Sequence, residues 1–224
     1  APANALGRLL NIQKHVRVAG LERRDTQWLL SAETADAVPS QHTFDAVLLA
    51  IPGPQAAELL AGADESLAQA CRQYTMSACW AVMLTPQQPL AIEFDGAFVN
   101  DQILSWIAKD TSKPARSGAE TWLMHATPQW SQEHIEADPG DVAQALRSAF
   151  LSLTGTPEAQ LTQADINVHR WRFAQADTAS ERAVPGYLWN PTLRLGVCGD
   201  WLNGGRVEGA WLSGHRLASQ LANS

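Results

Sequence analysis

Cysteines are few and odd in number: Cys71, Cys79 and Cys198 show neither CxxC spacing nor a neighbouring pair of histidines. That pattern gives no support to a disulfide framework or a zinc site, leaves no metal to expect, and fits a reducing cytoplasm. Basic residues are also scarce. The 16 Lys and Arg against 23 Asp and Glu give a formal charge of −7, whereas nucleic acid or an anionic membrane surface requires a clustered cationic excess. No apolar run approaches the roughly 18 to 20 residues that span a bilayer, and the opening "APANALGRLL" lacks the charged start of a secretion signal. GxSxG, HExxH, a recognisable Ser-His-Asp set and paired carboxylates are absent too. Hydrolase chemistry therefore has no support, and the catalytic residues stay unassigned.

What is present is enough to fold. The 224 residues are 46% hydrophobic, which suits one large domain or two small ones. "ANALGRLL" has helical spacing, and "HVRVAGLERRDTQWLLSA" reads as two strands around the polar turn "ERRDT". Phe44 to Ile51 is a near-continuous apolar run, the pattern of a strand buried on both faces, stopped by Pro52 and Pro54 ahead of an alanine-rich helix. From about Ala63 the texture changes to short strand-like runs, "MSACWAVMLTP", "GAFVN", "ILSWIA" and "TWLMHA", which predict an antiparallel sheet. Within it "DPGDVAQALRSAFLSLTG" is the clearest helix, with Asp138 as N-cap, Pro139 in the first turn and a stripe of Val142, Ala145, Leu146, Ala149, Phe150 and Leu153. In "INVHRWRFA" alternation puts His169, Trp171 and Phe173 on one face and Arg170 and Arg172 on the other.

The last stretch, "LGVCGDWLNGGRVEGAWLSGHRLASQL", reads as a buried strand, a glycine-bearing turn and a helix. Ligands of open α/β sheets bind at the carboxyl ends of such strands. Asp200 stands there as an acceptor for sugar or ribityl hydroxyls. Gly204 and Gly205 permit close backbone approach, and the free N–H groups near Val207 to Ala210 suit a developing negative charge. Ala210, Gly214 and Ala218 form a row of small residues, and close packing on a neighbour would explain a mid-helix glycine.

"GVCGDWLNGGRVEGAWLSG" resembles the C-terminal FAD-binding signature of flavin amine oxidase-like proteins, and most closely their bacterial renalase-like branch. "FDAVLLAIPGPQAAELL", "SWIAKDTSKPAR" with "TWLMHATPQWS", and "VHRWRFA" resemble further segments of that branch, in the same order. The resemblance implies an α/β fold, α+β overall. Residues 1–62 and 190–224 would form a discontinuous, partial, Rossmann-like FAD-binding domain, and residues 63–189 a substrate domain built on a mainly antiparallel sheet with helices. It also implies a departure: the family begins with a strand, a GxGxxG turn and a helix that bind the FAD pyrophosphate, and no GxGxxG occurs in this sequence. The expectation is an N-terminally truncated chain unable to hold FAD alone, with apolar surface left open on Phe44 to Ile51 and Leu195 to Cys198.

For the intact protein the resemblance implies oxidation of dihydronicotinamide dinucleotide isomers, with dioxygen as acceptor and hydrogen peroxide as product. The alternatives are a flavin amine oxidase or a polyene or porphyrinogen oxidase of the same superfamily, or a non-catalytic folded fragment or binding module. By resemblance, the cofactor-binding residues are Val16 at the adenine, Pro52 at the end of the strand beside the cofactor, Gly199 and Asp200 at the ribityl chain, and Arg206, Val207, Glu208, Gly209 and Ala210 at the flavin pyrimidine edge. Trp106, Trp122, His125 and Trp171 are candidates for the substrate pocket, although 9 tryptophans also serve core packing. Lys109, Lys113 and Arg116, or Arg170 and Arg172, would meet a dinucleotide's phosphates unless they are simply solvated.

Overall fold

The computed structural model describes residues 2–34, 40–176 and 184–223. In chain order the elements begin with α1 (Pro2–Gly7), β1 (Val16–Arg24), β2 (Gln27–Thr34), β3 (Ser40–Phe44), β4 (Val47–Leu49), α2 (Gly53–Leu60) and α3 (Glu65–Arg72). They continue with β5 (Met76–Thr85), β6 (Gly96–Phe98), β7 (Leu104–Lys109), β8 (Trp122–Ala126), α4 (Pro128–Glu133), α5 (Pro139–Thr154) and β9 (Asp165–Ala176). The last are β10 (Leu188–Asn190), β11 (Leu195–Val197) and α6 (Val207–Ala222).

The chain forms two compact units, Ala1–Thr75 with Thr178–Ser224, and Met76–Asp177. The sequence boundaries at 62/63 and 189/190 fall inside the first unit. The reason is local packing: α3 pairs with α2, and the buried Asp64 both caps α3 through Leu67 N–H and accepts from Asn190 Nδ2 at 2.8 Å, tying the helix to β10.

The first unit holds two small sheets. In one, β1, β2 and β3 run antiparallel in that order, and the fully buried Trp28 donates its indole N–H to Leu193 O at 2.7 Å. In the other the order is β10-β11-β4, with β11 parallel to β4 and antiparallel to β10. The run Phe44 to Ile51 is therefore not one strand buried on both faces. It breaks after Phe44, and Phe44 (42% exposed) and Leu48 (37%) remain open while Val47 and Leu49 are buried. Leu195 to Cys198, expected to be open as well, is buried, because β11 is the central strand and Leu217 of α6 packs onto Gly196.

The second unit is a five-stranded antiparallel sheet, β6-β7-β8-β5-β9. Alternation sends Trp80, Val82, Leu84, Ile107, Trp122 and Met124 to one face, where they pack with Val142, Leu146 and Phe150 of α5. α5 starts as its sequence predicts, Asp138 Oδ1 accepting from Gly140 N–H at 2.7 Å, and ends at Gly155 in the left-handed conformation (φ 67°). Its apolar stripe stops short of Leu153, which is exposed.

Candidate functional site

In the first unit the geometry is built around the carboxyl ends of two parallel strands. The β4–β11 register runs from Val47↔Leu195 to Val197↔Leu49 and is extended by Cys198 N–H donating to Leu49 O at 2.9 Å. Both strands feed a helix at this end. β4 leads through Ile51 and Pro52 into α2, with Pro52 at the N-cap position; β11 leads through Gly199 and a short 3-10 turn, Asp200–Leu202, toward α6. Trp201 joins the two exits by donating its indole N–H to Ile51 O at 3.1 Å.

Gly204 (φ 86°) and Gly205 (φ 70°) are both left-handed, a pair of conformations that residues with a Cβ avoid. They reverse the chain into α6, whose N-cap Arg206 is extended and contributes no side-chain cap. The N–H groups of Val207, Glu208 and Gly209 thus lack an intrahelical acceptor, whereas Ala210 N–H is already bonded to Arg206 O at 2.9 Å. That removes Ala210 from the expected set of free donors. Gly209 is required on packing grounds: a Cβ there would lie 2.1 Å from Asn203 O.

The Asp200 main-chain carbonyl accepts from Asn203 N–H and Gly205 N–H, both at 2.8 Å. Asp200 as a residue is half-buried, and its carboxylate takes no hydrogen bond or ion pair from the described residues. Among the described residues, an acceptor with open valence therefore sits on the same turn as three donors without a partner and the positive end of a 16-residue helix. Val16 opens β1 in the other small sheet of this unit, half-buried and paired with Thr34. The small-residue row of α6 meets nothing: Ala210 and Ala218 are exposed, and no atom lies within 4 Å of a Cβ built on Gly214. Close packing against the described residues is thus not the reason for Gly214.

In the second unit the sheet face away from α5 carries a second set of groups. Register aligns Phe98, Trp106, His125, Ala81 and His169 in one row across all five strands. At the usual strand spacing of about 4.8 Å the row extends about 19 Å, room for more than one ring. Phe98 lies 4.6 Å from Trp106 between ring centroids, and Trp171 packs edge-on to His169 at 4.2 Å. His125 is half-buried, and that burial lowers its imidazole pKa from the ordinary value by disfavouring the charged form.

Three of the four predicted pocket residues, Trp106, His125 and Trp171, share this face. Trp122 does not. It is fully buried on the α5 side, 5.6 Å from the Phe150 ring, with its indole N–H on Glu120 Oε1 at 2.8 Å. Phe98 was not singled out from the sequence; the signal available was the alternation of "GAFVN" hairpinned to "ILSWIA".

The basic residues are committed to carboxylates. Lys109 pairs with Asp95 at 3.0 Å, and Lys113 and Arg116 both pair with Asp110. Arg170 and Arg172 converge on Glu136, Arg172 through two parallel bonds of 2.7 and 3.0 Å. Each of these cations thus already has a carboxylate partner. Among the described residues no cluster of His, Cys, Asp or Glu is arranged to hold a metal, and no helix is long and apolar enough to cross a membrane.

The model of the family of flavin containing amine oxidoreductases matches residues 1–222. The chain belongs to that family. Two solved structures share the family fold. One is cyclohexylamine oxidase from Brevibacterium oxydans IH-35A, at a TM-score of 0.68 and 13% identity over 99% of this chain and 51% of its own. The other, from Exiguobacterium sp. 255-15, is assigned as a protoporphyrinogen oxidase; it gives a TM-score of 0.65 and 17% identity over 93% of this chain and 47% of its own. This member of the flavin amine oxidoreductases thus spans about half the length of each. Membership implies a flavin, and the Asp200 turn suits one: an open carboxylate for hydroxyls, three free N–H groups for an electron-rich edge, and glycines where the backbone comes close.

Proposed function

We propose that this chain is part of an FAD-dependent oxidoreductase of renalase-like type, which oxidises isomers of dihydronicotinamide dinucleotides and passes the electrons to dioxygen, yielding hydrogen peroxide. The observation that carries the cofactor part is the turn from Gly199 to Gly209. Asp200 would accept a ribityl hydroxyl, and the N–H groups of Val207, Glu208 and Gly209 would face the pyrimidine edge with the helix dipole behind them. Val16 at the adenine and Pro52 beside the cofactor are proposed on resemblance alone. When bound, the flavin supplies a two-electron acceptor; the chain's contribution is to hold it and to stabilise negative charge without rearranging.

The substrate part rests on the row Phe98, Trp106, His125 and His169, with Trp171 beside it. Flat apolar rings favour a planar heteroaromatic ring by stacking, and a neutral His125 donates or accepts a hydrogen bond without adding charge. Hydride transfer needs positioning more than a proton-transfer dyad. The cytoplasm is the proposed location, on the cysteine pattern.

A second reading, an amine or porphyrinogen oxidase, is favoured by the fold likeness to proteins so described. Anaerobic mixing separates the two. The flavin-loaded protein carrying this chain bleaches with a dihydronicotinamide isomer and not with an amine or a porphyrinogen; bleaching by an amine alone would sink the first reading. A third reading is that the 224 residues alone are a non-catalytic module, and purified chain without yellow flavin absorbance is its expected sign.

A further inference from the structure

We infer that Ser213 and Asn203 are positioning residues that fix the spacing between the Asp200 carboxylate and the free N–H groups of the first α6 turn; the inference rests on the flavin reading of that turn. Ser213 is completely buried in the interior of α6, six residues beyond Val207 and thus about 9 Å along the helix. Its hydroxyl accepts from the N–H of Gly199 at 3.0 Å. The helix body therefore grips the strand end directly before Asp200.

Asn203 supplies the second grip. Its Nδ2 donates to Gly209 O at 3.1 Å, and its own main-chain oxygen lies so close to Gly209 that a Cβ there would sit 2.1 Å away. Asn203 N–H in turn donates to Asp200 O. Asp200 is thus held from both sides, at 199 by the helix interior and at 203 by the helix start, and its position relative to residues 207–209 is set before any ligand arrives. Helix stability alone does not account for Ser213. Serine is a poorer interior helix residue than alanine, because its hydroxyl competes for backbone partners; here the hydroxyl reaches out of the helix to a strand end instead.

The test uses the 15N-labelled chain, titrated with riboflavin and with lumiflavin, which lacks the ribityl hydroxyls, while the amides of Gly199 and Val207 to Gly209 are followed by NMR. The wild type shifts at these amides and prefers riboflavin. Ser213→Ala keeps the wild-type circular dichroism but binds riboflavin about tenfold more weakly, the consequence of leaving one buried N–H without its acceptor, and loses the preference over lumiflavin. Ser213→Thr, which keeps the hydroxyl, retains it. General loosening would weaken both ligands equally, so a preserved preference in Ser213→Ala overturns the inference while leaving the flavin reading intact. No shift at these amides with either ligand in the wild type overturns the inference, while the flavin reading stands or falls on the anaerobic bleaching of the flavin-loaded protein. Should Ser213→Ala unfold, Asn203→Ala carries the same test, a lost preference supporting the inference and a retained one overturning it.

Discussion

The Gly199 to Gly209 turn and the open face of the five-stranded sheet present chemistry in opposite ways. In the turn the backbone offers the donors, and side chains such as Ser213 and Asn203 serve as struts. On the sheet the backbone is consumed by strand pairing, and the rings of Phe98, Trp106, His125, His169 and Trp171 form the surface. A backbone site tolerates almost no change, because each glycine answers to a contact or a left-handed φ. A side-chain surface can be altered without loss of fold, since stability comes from the other face. The first arrangement suits a constant cofactor and the second a variable substrate.

The sharpest way to break that contrast is to truncate a tryptophan on each of the two sheet faces. Trp122→Ala, on the buried face, is expected to cost about 4 kcal/mol in urea denaturation. Trp171→Ala, on the open face and 54% exposed, should stay within about 0.5 kcal/mol. Equal costs would mean that the open face is packed. Glycines in α6 give the next largest effect. Gly209→Ala should cost about 3 kcal/mol through its collision with Asn203 O, whereas Gly214→Ala, with nothing near its Cβ, should stabilise by up to about 1 kcal/mol in thermal unfolding.

Asp200→Ala should leave stability within about 0.5 kcal/mol, since its carboxylate bonds to nothing described, yet weaken riboflavin about tenfold in a fluorescence titration through the loss of a charged acceptor. Large destabilisation would assign Asp200 to the fold instead. The smallest effect is a slope with pH. Burial depresses the His125 pKa in the folded state, so as pH falls below the ordinary imidazole range the unfolded chain takes the proton first. Its stability contribution is complete above that range and declines as pH drops toward the folded value. His125→Gln should flatten this slope in melts between pH 7 and 5 (about the range where imidazole titrates). The Glu136 carboxylate, held low by its hydrogen bond from Arg172, and Asp110, held low by Lys113, act only at more acid pH.

Sequence reading reached furthest where local chemistry restricts the residue. Two consecutive glycines before a helix, Asp138 with Pro139 at an N-cap, and the alternation of "VHRWRFA" each predict a local conformation from their own atoms, and each element is present. It failed where the answer lay in a distant partner. The alternation of "TWLMHA" says that Trp122 and His125 point to opposite faces; only the docking of α5 decides that Trp122 is the one covered. Lys109 and Arg172 were legible as cations, and their carboxylates, Asp95 and Glu136, arrive from other parts of the chain.

By itself, then, the sequence determined the βα turn and the pairing of residues on each strand face, because these follow from φ/ψ limits and the period of two, while its motifs carried the resemblance to the family that the family model matches. Tertiary structure alone decided which face stays open, which charges are consumed, and that Ser213 grips Gly199. Those facts depend on contacts between residues far apart in sequence, and no local pattern encodes them.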